Sequence, residues 1–163
     1  MAERTTLVTV ASEDDPRVGE ARALLSEYAR SLGVDLSFQG FDRELETFPA
    51  GYLPPDGALI LAIHGTHLAG SVAMRRLDER ICEMKRLYLR PEFRGRGLGR
   101  ELAAAVVDAA CASGYRWMRL DTLPDMHDAQ RLYRALGFRE IDAYYENPVA
   151  GTRYMELDLR TSR

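Results

Sequence analysis

Residues 87–106 read LYLRPEFRGRGLGRELAAAV, and the fold turns on how this stretch is parsed. An apolar run, Leu87-Tyr88-Leu89, feeds a loop that sets Arg94, Gly95, Arg96, Gly97, Gly99 and Arg100 almost side by side. A helical apolar pattern comes next, so the unit is strand, loop, helix. A helix opened this way leaves several backbone N–H groups without acceptors, and its dipole adds positive potential at the same end. The guest such a loop suits is an anion such as phosphate. Glycine lets the backbone approach that guest with no Cβ in the way, and arginine pairs with its oxygens. The whole chain carries a net charge of -3, so this basicity is a local feature and not a general one.

Working outward, 5–11 reads as a β-rich first strand. Asp15 as N-cap and Pro16 at the first helical position open a helix that Gly33 stops. A short helix over 41–48, capped by Asp42, comes next. Residues 58–65, 66–77 and 81–89 read as three consecutive strands. The glycine loop then leads to a helix over 98–113, a strand over 115–122 and a helix within 125–138 that Gly137 stops. Strands over 139–146 and 153–159 close the chain. Three strands joined by short turns are antiparallel, whereas the strand–loop–helix–strand segment 81–122 demands a parallel crossover. The expected architecture is α/β: a single mixed, mostly antiparallel sheet of about seven strands flanked by about four helices.

Length and composition narrow the function classes. The 163 residues fit one domain over 1–163, and 46% hydrophobic with 29% charged residues suits a globular chain over a disordered one. No run approaches the roughly 20 apolar residues of a membrane span, so no membrane partner is expected. MAERTTLVTV lacks the apolar core of a secretory signal, and Cys82 and Cys111 have no metal-ligand spacing; the expectation is a reduced, cytoplasmic setting. Net acidity argues against nucleic acid. His64 and His67 lack a third ligand, so no metal is expected. A Walker loop needs Lys-Ser or Lys-Thr after its last glycine, where this chain has Arg100-Glu101. A dinucleotide fingerprint fails as well: Arg100 stands at its third glycine, and five residues separate the strand from Gly95.

The same stretch resembles the acetyl-CoA-binding motif of the GCN5-related N-acetyltransferase family, as Arg94-x-x-Gly97-x-Gly99 after a hydrophobic strand. A second block, Ala129, Leu132, Tyr133, Gly137 and Phe138, is similar to the family's A-x-x-L-Y-x-x-x-G-F segment. The likeness is strong over 81–141. One position departs from the pattern: Met126 stands where the family often has asparagine.

The resemblance implies transfer of an acetyl group from acetyl-CoA to a primary amine by direct attack, with a small molecule, amino-acid-like ones included, as acceptor. A protein acceptor, or a non-catalytic acetyl-CoA binder, are the alternatives. It implies a pyrophosphate resting on amides of Gly95, Arg96, Gly97, Leu98, Gly99 and Arg100, and a pantetheine arm along Leu87, Tyr88 and Leu89. Tyr133 is the candidate acid for the departing thiolate, and Glu83 the candidate base acting through water. The amide of Tyr88 or Leu89 is the candidate oxyanion donor. Parity in an unbroken strand places Glu83 on one face with Lys85, Leu87 and Leu89, unless a bulge intervenes; as a plain surface carboxylate, Glu83 would pair with Lys85 or Arg76. Phe38, Gln39, Tyr144, Tyr145 and Asn147 are expected near the acceptor, with Arg86 and Arg119 suited to a carboxylate on it. A homodimer is a further implication of the family.

Overall fold

In the computed structural model, which describes residues 3–37 and 40–160, the chain runs β1 (Thr5–Thr9), α1 (Val18–Ser31), α2 (Phe41–Thr47), β2 (Ala58–His64), β3 (His67–Arg76) and β4 (Ile81–Leu89). A 3-10 turn (Pro91–Phe93) precedes α3 (Leu98–Ala112), β5 (Trp117–Thr122), α4 (His127–Ala135), β6 (Arg139–Ile141) and β7 (Arg153–Asp158). The seven strands form one sheet in the order β1-β2-β3-β4-β5-β7-β6. Every neighbouring pair is antiparallel except β4 and β5, the pair that the glycine loop and α3 connect. No helix among the described residues is long and apolar enough to cross a membrane.

Helices cover both faces, which is why β2 is a continuous apolar run and not an alternating one. On one face α3 turns Leu98, Leu102, Val106, Val107 and Ala110, at helical spacing, onto Ile60, Met74 and Met84. On the other, Val18, Ala21, Leu24 and Leu25 of α1 meet Leu59, Leu61 and Leu68. Leu102 is fully enclosed, so truncating it to alanine costs about 2–5 kcal/mol.

Two helix starts differ from the reading of the sequence. The Asp15 carboxylate accepts the Arg17 N–H at 2.9 Å and also grips its guanidinium, closing a turn ahead of the helix. α1 therefore begins at Val18 with Arg17 in the cap position. α2 is capped by Gly40, in the left-handed region at φ 70°, with Asp42 inside the first turn where a carboxylate suits the dipole. The strand expected over 139–146 is shorter, ending at Ile141.

Two irregularities in β4 shape the cleft beside it. Ser71 pairs with Tyr88 but Ala73 with Lys85, so Val72 alone opposes both Arg86 and Leu87. This is a β-bulge, and Arg86 absorbs it at φ 60°, a conformation that costs a non-glycine residue roughly 1–2 kcal/mol. The bulge reverses the pleat. Cys82, Met84, Leu87 and Leu89 belong to the α3 side, while Glu83, Lys85, Arg86 and Tyr88 belong to the α1–α2 side. The shared face for Glu83, Leu87 and Leu89 expected from an unbroken strand is thus corrected. The second irregularity is a splay: β4 and β5 pair only from Ile81↔Trp117 to Glu83↔Arg119. β5 continues beside β7 as far as Thr122, leaving a gap along the rest of β4.

Candidate active site

The gap is lined by main chain. Arg90 donates its N–H to the Ala69 carbonyl on β3 at 2.9 Å, and a Cβ built on Gly70 would stand 2.4 Å from the Tyr88 carbonyl oxygen. Tyr88 therefore aims its backbone polar groups at β3. Strand alternation turns those of Leu87 and Leu89 the other way, towards the space β5 has vacated. Tyr88 instead contributes its ring, 5.6 Å from that of Tyr28 on α1.

At the end of β4 the chain enters the cradle. Gly95 and Gly97 hold φ of 78° and 80°, a region that disfavours side chains, and a Cβ at either would project into open space. The first bond inside α3 runs from the Glu101 N–H to the Gly97 carbonyl at 3.1 Å. The amides of Leu98, Gly99 and Arg100 lie ahead of that bond and face out of the helix end. Leu98 buries its side chain in the core, so its amide is what it offers the cradle. Arg94 folds back to donate from Nε to the Leu89 carbonyl at 3.0 Å and lies over the Tyr88 ring; Arg96 lies over Phe93. Arg94, Arg96 and Arg100 are all exposed around the loop.

From the cradle a cleft of about 600 Å³ runs between Leu87–Leu89 on one side and Met126–Ala129 on the other. It shares Tyr28, Leu87 and Met126 with an inner pocket of about 40 Å³, whose walls include Lys85, Leu120, Asp121 and Tyr133. Tyr133 is buried, its ring 5.8 Å from that of Phe138. Burial pushes its phenol well above the ordinary tyrosine range, so it stays protonated. The hydroxyl of Thr122, on the same wall, has no hydrogen-bond partner among the described residues.

Beyond the pocket lies a polar network that the sequence did not reveal. Glu83 is 1% exposed. Arg75 donates to one of its oxygens at 2.8 Å, with the Lys85 Nζ 3.8 Å away, and the Tyr144 hydroxyl donates to the other at 2.5 Å. The surface pairing with Arg76 considered for it is replaced by these contacts, because the cross-strand partner of Glu83 is Arg75. Burial and the Glu83 carboxylate together push the Tyr144 phenol far up. Asp121 accepts from the Tyr145 hydroxyl and, at 3.3 Å, from the Asn147 amide. Tyr144, Tyr145 and Tyr154 pack edge to face.

The two arginines expected to read an acceptor carboxylate already hold carboxylates of this chain. Arg86 donates to Glu44 on α2 at 3.1 and 2.8 Å, and Arg119 to Glu156 on β7 at 2.8 Å while lying over the Tyr144 ring. Phe38 and Gln39 fall outside the described residues. His64 bonds Thr5 at 2.7 Å, and no group of three metal-ligating side chains occurs among the described residues. The Tyr144–Glu83 and Tyr145–Asp121 pairs had one signal in the sequence, two adjacent tyrosines before Glu146-Asn147-Pro148, but their partners lie on distant strands.

A strand that ends in a left-handed glycine cradle, beside a parallel pair that splays, offers an anion site continuous with a main-chain-lined gap. The profile of the acetyltransferase (GNAT) family matches residues 21–138. An uncharacterized N-acetyltransferase of Schizosaccharomyces pombe is 41% identical over 141 residues, 85% of this chain and 86% of that protein. The chain belongs to the acetyltransferase (GNAT) family and is an acyltransferase. Among solved structures, a putative acyl-CoA N-acyltransferase from Klebsiella pneumoniae superposes with a TM-score of 0.70 at 26% identity, covering 95% of this chain and 97% of that one. The Salmonella typhimurium acetyltransferase yncA, solved with its cofactor acetyl-CoA, shares the fold at a TM-score of 0.70 and 18% identity, covering 96% and 94%.

Proposed function

We propose that this chain, as one domain over 1–163, transfers an acetyl group from acetyl-CoA to the primary amine of a small molecule by direct attack. The observation that carries this reading is the continuity of one path: glycine cradle, the outward-facing amides of Leu87 and Leu89, then Tyr133. The acetyl-CoA-bound relative of the same fold supports the choice of donor. The chain's own features fit the group. The cradle is open where a Cβ would stand, cations surround it, and Thr122 presents an unpartnered hydroxyl on the pocket wall.

The residues divide the work. Amides of Gly95 to Arg100 hold the diphosphate, with Arg94, Arg96 and Arg100 adding charge. Leu87 and Leu89 pair with the amide-bearing arm as a neighbouring strand would. Of the candidate oxyanion donors, Leu89 keeps its place and Leu87 joins it, since both face the gap and Tyr88 faces β3. Tyr133, held protonated by burial, donates to the departing sulfur. Asp121, on the pocket wall and oriented by Tyr145 and Asn147, receives the acceptor's ammonium. Glu83 takes part through its neighbours: Arg75 holds one oxygen and the Tyr144 hydroxyl the other, so a proton reaches it by way of Tyr144.

The test is thiol release from acetyl-CoA across a panel of small amines, amino acids and peptides. Amine-dependent release with small amines is expected. Binding of acetyl-CoA without release for any amine would establish a sensor instead, and release with peptides alone would move the acceptor to protein.

A further inference from the structure

Of the 22 basic residues in this chain, 21 are arginine and one is lysine. That lysine is Lys85, 4% exposed, on the wall of the inner pocket. Arginine stays charged in any protein environment, and among the described residues it supplies every exposed cation and the buried pair with Glu44. Lysine differs in one chemical respect: its nitrogen, once deprotonated, is a nucleophile.

We propose that Lys85 is itself an acetylation site, modified by the protein's own bound acetyl-CoA. The inference rests on the transferase reading above. The pocket of about 40 Å³ has room for a group of a few heavy atoms, so an acetyl group seated beside Tyr133 lies against the same walls that Lys85 forms. The Nζ lone pair attacks the thioester carbonyl carbon; a C–N bond forms and the C–S bond breaks. The sulfur leaves with the bonding electrons and gains a proton, the nitrogen loses one, and the products are Nε-acetyl-Lys85 and free coenzyme A.

The surroundings move the balance towards the neutral amine. Burial lowers the ammonium's pKa, opposed by Glu83 and Asp121 and reinforced by Arg86 and Arg75; Tyr28 of α1 and Tyr133 of α4 face the same pocket. Nor does Glu83 depend on Lys85 for its charge balance, since Arg75 and Tyr144 bind it more closely. Acetylation of Lys85 therefore leaves Glu83 its two closer partners.

The sequence makes the test clean, because only Lys85 and the α-amino group can form a stable acetyl amide. Full-length protein is incubated with acetyl-CoA without amine, then weighed intact and mapped by peptide mass spectrometry. The expected result is one acetyl group per chain on the Lys85 peptide, forming at least tenfold faster in folded protein than in the urea-unfolded chain at the same pH. It should be absent from K85R and K85M, whose thermal unfolding reports whether each variant folds. Unmodified Lys85 in wild-type protein that binds acetyl-CoA and acetylates amines overturns this inference alone. So does equal modification in the unfolded chain, or modification confined to the N-terminus. A chain that shows no thermal shift with acetyl-CoA overturns the inference together with the transferase reading.

Discussion

Arg86 of β4 grips Glu44 of α2 through both Nε and Nη2, and it does so from a backbone conformation most side chains avoid. The two facts belong together. The bulge that strains Arg86 is what swings it onto the α2 face, and the bidentate pair, with the Phe41 ring 5.4 Å from the guanidinium, offsets the strain. The same bulge sends Leu87 and Leu89 to the α3 side, so the ion pair secures the strand edge that lines the cleft.

Breaking that pair takes the carboxylate from a cation whose side chain is only 5% exposed. Glu44→Gln is expected to lower unfolding free energy by about 3 kcal/mol, read as a reduced urea midpoint at unchanged slope. An unchanged midpoint would show that Arg86 finds another carboxylate.

Removing the Tyr133 hydroxyl tests the acid. Tyr133→Phe keeps the ring against Phe138 and should reduce kcat by roughly a hundredfold or more, with the donor's Kd little changed. A near-wild-type kcat would return Tyr133 to a packing role.

Asp121 and Glu83 are separated by their access to the pocket. If the carboxylate meets the acceptor as proposed, Asp121→Asn should raise the amine KM at least tenfold and leave acetyl-CoA affinity intact. Should KM stay constant while kcat falls, Asp121 acts on the chemistry instead of on acceptor binding.

Gly97→Ala places a Cβ at the mouth of the cradle and forces alanine to φ 80°, a conformational cost of about 1–2 kcal/mol. Gly114→Ala supplies the control, with a similar φ of 87° just past the far end of α3. Both should lose stability, but only Gly97→Ala should also weaken coenzyme A binding, measured by calorimetry. Equal affinities in the two variants would remove the cradle from the donor site.

Alkaline pH should unfold this protein early. Burial pushes the Cys82 thiol up to about 12 and raises Tyr28, Tyr52, Tyr133 and Tyr144 above their ordinary values. In the unfolded chain these groups ionise near their usual values, about 8.5 for thiols and 10 for phenols. The folded state then binds more protons, so stability is complete below about pH 8.5 and falls as pH rises towards the folded values. Urea midpoints at pH 7, 9 and 10.5 should decline in that order, and Cys82 should resist alkylation at pH 8 until the chain is unfolded.

The residues in order disclosed whatever depends on near neighbours. Apolar spacing set the helices, and the glycines at 95, 97 and 99 marked where the backbone must turn and lie bare. The crossover from 81 to 122 required the single parallel pair that opens the cleft. Partners were another matter: Arg119–Glu156, Arg86–Glu44 and Tyr144–Glu83 join positions 37, 42 and 61 residues apart. Strand parity failed at Arg86 because the extra residue depends on the register between β3 and β4, which side-chain order on either strand alone does not encode. Burial decided the rest: a glutamate, a lysine and two tyrosines that look ordinary in the chain acquire their chemistry only once packing removes the water around them.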